Sequence, residues 1–256
     1  CIDKFSVASS GRKKKVIEEN EKRLIKKVDL ILTITSHLKK YLCSITNKEI
    51  HLIFNGAQIE EIFEELSKEE KIPDEIKNIP EPRLGFMGTL NAKVDINLIY
   101  KIALQKPNYH WIFIGLIEEE ELDKNILNKL KVMNNIHLLG PKNRQEILKY
   151  ERFFNFCTIP LLINEWTKIV LPLKFFEYLA LGLPIISTPL PELAPFNDLI
   201  FFGKNENEWI NKIDYLLNNH RIINDLKIKE QKKASEFSWK TNAEKISEII
   251  NKSIKK

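Results

Sequence analysis

Residues 172–193 read PLKFFEYLALGLPIISTPLPEL. Pro172 suits the first turn of a helix, because the N–H it lacks would be unpaired there anyway. Residues 172–181 predict that helix, Gly182-Leu183-Pro184 a turn, and residues 184–187 a short apolar strand. The first amides of the helix form a positive end fit for a phosphate. Lys174 adds a cation one turn in, and Glu177, three residues on, lies on nearly the same face. Amides and a lysine for phosphate, with a carboxylate for sugar hydroxyls, suit a nucleoside diphosphate. A plain Lys174–Glu177 surface pair, worth about 0.2–0.5 kcal/mol, fits the spacing equally well.

Outward from this stretch the pattern repeats. Upstream, residues 83–87 (RLGFM), 111–114, 136–139 and 156–159 read as strands, and downstream so do residues 199–202. Helical stretches at 122–132, 143–151, 206–218 and 220–235 separate them, and Asp95 caps another that carries Ile99, Ile102 and Ala103. Fully apolar strands alternating with helices imply an α/β fold with a parallel sheet covered on both faces. Nearer the start, a one-sided helix at 16–28 precedes a strand at 29–35, a helix capped by Ser36, and a strand at 49–54 that stops at Asn55-Gly56. Residues 57–82 are rich in Glu and Lys, contain Pro73, Pro80 and Pro82, and show no strand pattern. They predict an interdomain linker, centred on 63–82. A last amphipathic helix spans 240–254.

Composition narrows the function. With 256 residues, 43% of them apolar, one or two packed domains are expected, and 8 Gly with 11 Pro exclude collagen-like or low-complexity chains. The three cysteines, at 1, 43 and 157, are too few and too scattered for a disulfide framework or a four-ligand zinc site, and suit a reducing compartment. No run of about 18 apolar residues exists to cross a membrane as a helix. The net charge of +5 comes from 40 basic and 35 acidic residues, mixed along the chain. Only six of the basic residues are arginine (12, 23, 83, 144, 152, 221), which disfavours a nucleic-acid reader. Basic clusters at Arg12-Lys13-Lys14-Lys15 and at Lys252, Lys255 and Lys256 have two readings. They are solvated surface, or they draw the protein to an anionic membrane at roughly 1 kcal/mol per residue.

In open α/β sheets, ligands bind beyond the carboxyl ends of the strands. Gly88-Thr89 follows the strand at 83–87, where a glycine lets backbone approach a ligand; a plain turn reads the same way. Lys142, in Gly140-Pro141-Lys142-Asn143, either borders a nucleoside or is a solvated loop lysine. The loop after Pro160, with Asn164 and Thr167, is the expected place for donor-sugar contacts. No G-x-G-x-x-G and no Walker lysine pattern is present, which disfavours dinucleotide oxidoreductases and P-loop NTPases. His110, His137 and His220 share no ligand spacing, and the four tryptophans (111, 166, 209, 239) are expected to pack.

The string PLKFFEYLALGLPIISTPLPEL resembles the donor-site segment of GT-B glycosyltransferases, in which a P-x-K-x-x-E-Y-x-A-x-G-x-P pattern recurs. Other segments agree in order: DLILTITS, IHLIFNGA, RLGFMGTLNAKVD, WIFIG, IHLLG and TIPLL, then Ser238-Trp239 at the start of a C-terminal crossing helix. The resemblance covers essentially the whole chain and is closest to family 4-like enzymes of bacterial surface polysaccharide and teichuronic acid synthesis. It implies a Rossmann-like donor domain at 83–235, attached through the 63–82 linker to the last part of an acceptor domain at 1–62, with a crossover helix at 236–256. On that reading the chain holds only part of an acceptor domain, in keeping with its opening Cys1-Ile2-Asp3.

The implied activity is transfer of a sugar from a UDP- or GDP-linked donor to a glycan or lipid-linked acceptor hydroxyl. Retention of configuration, no bound metal and a cytoplasmic location at the inner face of the cell membrane are implied with it. Glu177 would hold the ribose, Gly88 and Thr89 would border the diphosphate, Pro172, Leu173 and Lys174 would cradle it, and Lys142 would sit near the base. Lys174 and Glu177 are then the residues expected to carry catalysis. Two departures stand out. Ile169 occupies the place of a second glutamate, and Thr89 and Val94 replace two diphosphate cations, with Lys93 one place early. They keep two alternatives open: a non-catalytic nucleotide-binding or scaffold protein with a degenerate GT-B fold, and a GT-B nucleotide-sugar epimerase.

Overall fold

The computed structural model describes residues 10–254, so Cys1-Ile2-Asp3, Lys255 and Lys256 lie outside the described residues. The chain starts with α1 (Gly11–Lys27), β1 (Ile31–Thr33), α2 (Ser36–Cys43), β2 (Ile50–Leu52) and α3 (Ile59–Ser67). Then follow β3 (Arg83–Met87), α4 (Ile96–Gln105), β4 (His110–Ile114), α5 (Lys124–Lys131), β5 (Ile136–Leu138), α6 (Arg144–Glu151) and β6 (Phe156–Ile159). The last elements are α7 (Leu173–Leu181), β7 (Ile185–Ser187), β8 (Ile200–Phe202), α8 (Glu206–Leu217), α9 (His220–Ala234) and α10 (Trp239–Ile254).

β1 and β2 pair in parallel over a small core of Ile25, Ile31, Leu42 and Ile50. The other six strands form a second parallel sheet in the order β5-β4-β3-β6-β7-β8. Successive strands run outward from β3 in one direction and from β6 in the other. The switch point, where adjacent chain connections diverge and leave a crevice, therefore lies between β3 and β6 at their carboxyl ends. The sheet is held by fully buried side chains such as Leu84, Phe86, Trp111, Phe156, Phe175, Phe176 and Ile185. Each contributes roughly 1.5–3 kcal/mol by leaving water. Trp111 stacks against Phe113 and Trp209, with centroids 5.9 and 6.2 Å away.

Two local expectations need correction, and a third segment is packed more closely than its composition suggests. Thr35, not Ser36, caps α2: its Oγ1 accepts the Leu38 N–H at 3.2 Å. Trp239 is half exposed rather than packed. The stretch expected as a linker is folded against the larger sheet. Ile59 and Ile62 on α3 belong to the main core, with Phe63 and Leu66 packed on it. Ile76 is fully buried in a cluster with Ile112, Ile114 and Phe154. Residues 59, 62, 63 and 66 form an apolar stripe at helical spacing, which the surrounding Glu and Lys content masks.

α10 returns to the first half of the chain. The Asn242 side-chain amide donates to the Phe54 carbonyl at 2.9 Å, and Ala57 bridges to Ser238. Among the described residues no helix is long and apolar enough to cross a membrane. Arg12, Lys13, Lys14 and Lys15 are exposed on α1.

At the opposite end of the strands from the crevice, His110 Nδ1 lies 3.2 Å from His137 Nε2 and the rings stack. Burial holds both imidazoles below their ordinary value, and Arg83 lowers His110 further, as His110 does His137. The unfolded chain takes up these protons near pH 6.5, whereas the folded chain takes them up only at lower pH. Stability is therefore full above about pH 6.5 and is lost as pH falls toward the folded values. Denaturant unfolding at pH 7.5 and 5.5 checks this: His137→Gln is expected to lose less stability over that interval than the parent chain.

Candidate functional site

The crevice is built first from two backbone turns. Gly88, directly after β3, has φ +129°, a conformation costly for any other residue. A Cβ there would lie 2.9 Å from Lys174 Nζ. Gly115, directly after β4, has φ +150°, and its Cβ would lie 2.2 Å from the Gly88 carbonyl oxygen. The ends of β3 and β4 thus touch backbone to backbone, which only glycine allows. The Met87 N–H donates to the Tyr178 hydroxyl at 3.0 Å, tying the end of β3 to α7. Thr89 is partly exposed beside this turn.

α7 enters from the other side. It buries Phe175, Phe176, Tyr178, Leu179, Ala180 and Leu181, so almost its whole circumference is inside the protein. Leu173, Lys174 and Glu177 are its residues that keep exposure. Buried Pro172 is the N-cap, and the Phe175 N–H turns back to the Pro172 carbonyl at 3.0 Å. The amides of Leu173 and Lys174 lie in the first turn, whose N–H groups lack partners within the helix.

Lys174 Nζ sits 3.8 Å over the Phe86 ring, and among the described residues it has no hydrogen-bond or ion-pair partner. Loss of water around it pushes its pKa down to about 7, against the opposing pull of Glu177 and Glu151 and with help from Lys93. Lys93 stands 5.5 Å over Trp166. Val94 is buried and bridges to Leu161, so Lys93 is the polar residue this loop brings toward Lys174.

Lys174 and Glu177 do not pair with each other. Glu177, its side chain 15% exposed, accepts a hydrogen bond from Arg144 Nη1 at 2.5 Å. Arg144 Nε donates to Gln58 Oε1 at 3.0 Å and lies 3.6 Å from Glu61. The surface-pair alternative therefore fails, and Glu177 is a carboxylate held by Arg144.

Other expected contacts are engaged elsewhere. Lys142 donates to both Glu75 oxygens, at 2.8 and 2.9 Å, and lies over the Tyr150 ring. Asn164 Oδ1 accepts the N–H groups of Trp166 and Thr167, while the buried Thr167 hydroxyl accepts from Asn164 N–H and donates to the Leu162 carbonyl. These two side chains hold their loop, which instead exposes Leu162 and Ile163. The structure thus gathers Gly88, Thr89, Pro172, Leu173, Lys174 and Glu177, and leaves Lys142, Asn164 and Thr167 with protein partners.

Sequence reasoning passed over Arg144, Gly115 and Glu192. The Glu192 carboxylate, in the loop after β7, accepts the N–H groups of Ser36 at 2.9 Å and His37 at 2.7 Å. It supplies the anion that the first turn of α2 lacks in its own sequence. Among the described residues no group of three or more His, Cys, Asp or Glu is placed to hold a metal ion.

A glycine turn and a helix N-terminus meet at the switch point of a parallel sheet, the place where open α/β folds put their ligands. Comparison supplies the class: residues 81–219, more than half of the chain, match the family of glycosyl transferases group 1, and the chain belongs to that family. It is 29% identical over 208 residues to the Bacillus subtilis protein named as teichuronic acid biosynthesis glycosyltransferase TuaH, covering 76% of this chain and 50% of that one. It is also 29% identical over 189 residues to the glycosyltransferase MJ1059 of Methanocaldococcus jannaschii, an uncharacterised protein, covering 70% of this chain and 44% of that one. The chain thus spans about half the length of these curated relatives.

Among solved structures it is similar to sucrose-phosphate synthase of Thermosynechococcus elongatus, with TM-score 0.72, 14% identity, and 96% of this chain and 62% of that one covered. It is similar also to Anabaena HepE, solved with UDP and glucose, with TM-score 0.65, 14% identity, and 88% and 63% covered. The fold is of the GT-B glycosyltransferase type.

Proposed function

We propose that this chain binds a nucleotide-diphosphate sugar in the β3/β6 crevice and serves transfer of that sugar to an acceptor hydroxyl in surface polysaccharide synthesis. One observation carries the reading: Lys174, a cation without an anionic partner, stands where the Gly88 turn and the N-terminus of α7 converge. A cation stripped of much of its water and left without a counter-ion is costly, and a diphosphate supplies the missing charge. Glu177, one turn further along α7 and held by Arg144, would take the ribose hydroxyls. The names of similar proteins support the chemistry, since HepE was solved with UDP and glucose and TuaH is named for teichuronic acid synthesis.

As the sugar–phosphate bond breaks, negative charge grows on the leaving diphosphate. The amides of Leu173 and Lys174, with the Lys174 and Lys93 ammonium groups, stabilise that charge as preorganised donors. No resident metal is needed in this scheme. Transfer with retention follows from the family 4 resemblance, and no carboxylate pair in the crevice suggests double displacement. The acceptor is a glycan or lipid-linked hydroxyl. The exposed Arg12–Lys15 cluster provides attraction to an anionic membrane face, which fits a cytoplasmic enzyme working at the inner leaflet.

A second reading, a nucleotide binder without turnover, is favoured by one observation. Ile169 is buried where a second carboxylate is expected. Calorimetric titration with UDP, GDP and ADP tests the binding, with one of the first two expected to bind. Glu177→Gln should weaken that binding about tenfold, by loss of charged hydrogen bonds worth about 1.5–3 kcal/mol offset by the amide's remaining acceptor. Release of free nucleotide from the nucleotide sugar, abolished in Glu177→Gln, distinguishes the transferase from the silent binder. No binding of any nucleotide would sink both.

A further inference from the structure

Behind the crevice, three buried polar atoms have no partner: Nη2 of Arg144 and both carboxyl oxygens of Glu151. Glu151 is 0% exposed. It closes α6, seven residues from Arg144, and seven residues make nearly two full turns, so both project from one face of the helix. The charges that act on Glu151 are those of Glu177, Arg144 and Lys174, so it lies behind the charged face of α7. Its burial, with the nearby Glu177 charge, keeps its carboxyl well above the ordinary carboxylate range.

Packing alone does not account for this residue. A buried acid without hydrogen bonds destabilises a fold, and an apolar side chain of similar volume would do better. Arg144 is similarly incomplete. Its Nη1 holds Glu177 at 2.5 Å and its Nε holds Gln58 at 3.0 Å, while Nη2 has nothing to donate to. A guanidinium has donors in a rigid fork, so an idle one on the same helix face as an idle acid, each within reach of the other's charge, marks a second arrangement of the same groups.

We infer that Arg144 and Glu151 are a positioning pair for the ribose carboxylate: Arg144 aims Glu177 into the crevice, and shifts onto Glu151 when ribonucleoside hydroxyls take the Glu177 oxygens. The inference rests on the nucleotide site proposed above. Neither residue touches substrate. Glu151 gives the displaced guanidinium an acceptor, so that binding does not leave a buried cation unpaired. The pair therefore contributes to ribose recognition rather than to diphosphate recognition.

The test is calorimetric binding of UDP, GDP and their 2′-deoxy counterparts to the full chain, with thermal unfolding of each variant. Glu151→Met is expected to melt higher than the parent yet bind the ribonucleotide about tenfold more weakly. Its affinity for the deoxynucleotide should be unchanged, so that the ribose preference collapses. Glu151→Gln, which keeps an acceptor for Arg144, should recover part of that preference, and Arg144→Lys, which lacks the fork, should lose it. A higher melting temperature with the ribose preference intact would show Glu151 to be structural only, and overturn the inference. Equal losses for ribo- and deoxynucleotide would overturn it as well. Should Glu151→Met fail to fold, the ratio measured on Glu151→Gln decides: an unchanged ratio with Arg144→Lys also unchanged overturns it. A parent chain that binds no nucleotide, or binds without ribose preference, refutes instead the site on which the inference stands.

Discussion

Lys174→Ala is expected to weaken UDP or GDP binding at pH 7 by about ten- to 150-fold, the loss of one charge-assisted contact worth about 1.5–3 kcal/mol. The effect should be at the upper end, because Lys174 has no carboxylate partner that must first be given up. It should also carry a pH signature. Desolvation has pushed the free amine down to about 7, whereas a bound diphosphate favours the charged form. Binding thus takes up a proton above pH 7, and affinity should fall about tenfold between pH 7 and 8.5. In Lys174→Ala that slope should vanish, and in Lys174→Arg, which stays charged throughout, it should flatten. Affinity within twofold of the parent in Lys174→Ala at pH 7 would remove the lysine from the diphosphate site.

The same residue shows what the sequence can and cannot reveal. Strand and helix positions in the larger domain were legible because its strands are uninterrupted apolar runs, and β3 and β6 begin and end where the pattern places them. Lys174 and Glu177 were legible as a local spacing on one helix. Their partners were not, since Arg144 comes from a different helix, 33 residues earlier in the chain. Nor did local pattern reveal that Asn164 and Thr167 hydrogen-bond their own loop, because an Asn and a Thr three residues apart serve a turn or a ligand alike.

In the segment from 57 to 82 the sequence pattern hides the packing, and arginine explains how it is held. In a chain that uses lysine almost everywhere, the three arginines that are not exposed all grip this segment. Arg83 donates to the Ile79 carbonyl, Arg144 to Gln58, and Arg152 to the carbonyls of Glu65, Leu66 and Lys68. Arg12, Arg23 and Arg221 are exposed. A planar fork that satisfies several carbonyls at once is what fastens an irregular segment to a domain, and lysine offers no equivalent. The scarcity of arginine was visible in the composition, but its meaning required the partners. One consequence is that Glu177 is coupled through Arg144 to Gln58 and Glu61, at the point where the chain passes from its first half to its second.

Gly115→Ala is expected to produce a large loss of stability from a single added methyl. The new Cβ would lie 2.2 Å from the Gly88 oxygen and 2.6 Å from the Gly88 carbonyl carbon, so no rotamer change relieves it. Neither turn can retreat freely, because Gly115 N–H donates to the Gly140 carbonyl and Gly88 N–H to the Ile114 carbonyl, each at 2.9 Å. Backbone strain at φ +150° and the forced overpacking together should cost about 2–6 kcal/mol. Gly140→Ala is the matched control. Its φ of +71° is also unfavourable for alanine, but its Cβ would meet nothing within 4 Å, so strain of about 1–2 kcal/mol is its whole cost. The difference between the two variants in denaturant unfolding isolates the contact between the ends of β3 and β4. Because the same contact sets Gly88 against Lys174, Gly115→Ala that still folds should bind UDP or GDP poorly, while Gly140→Ala binds as the parent does. Equal unfolding midpoints for the two alanine variants would show that backbone contact with Gly115 is not what holds the Gly88 turn in place.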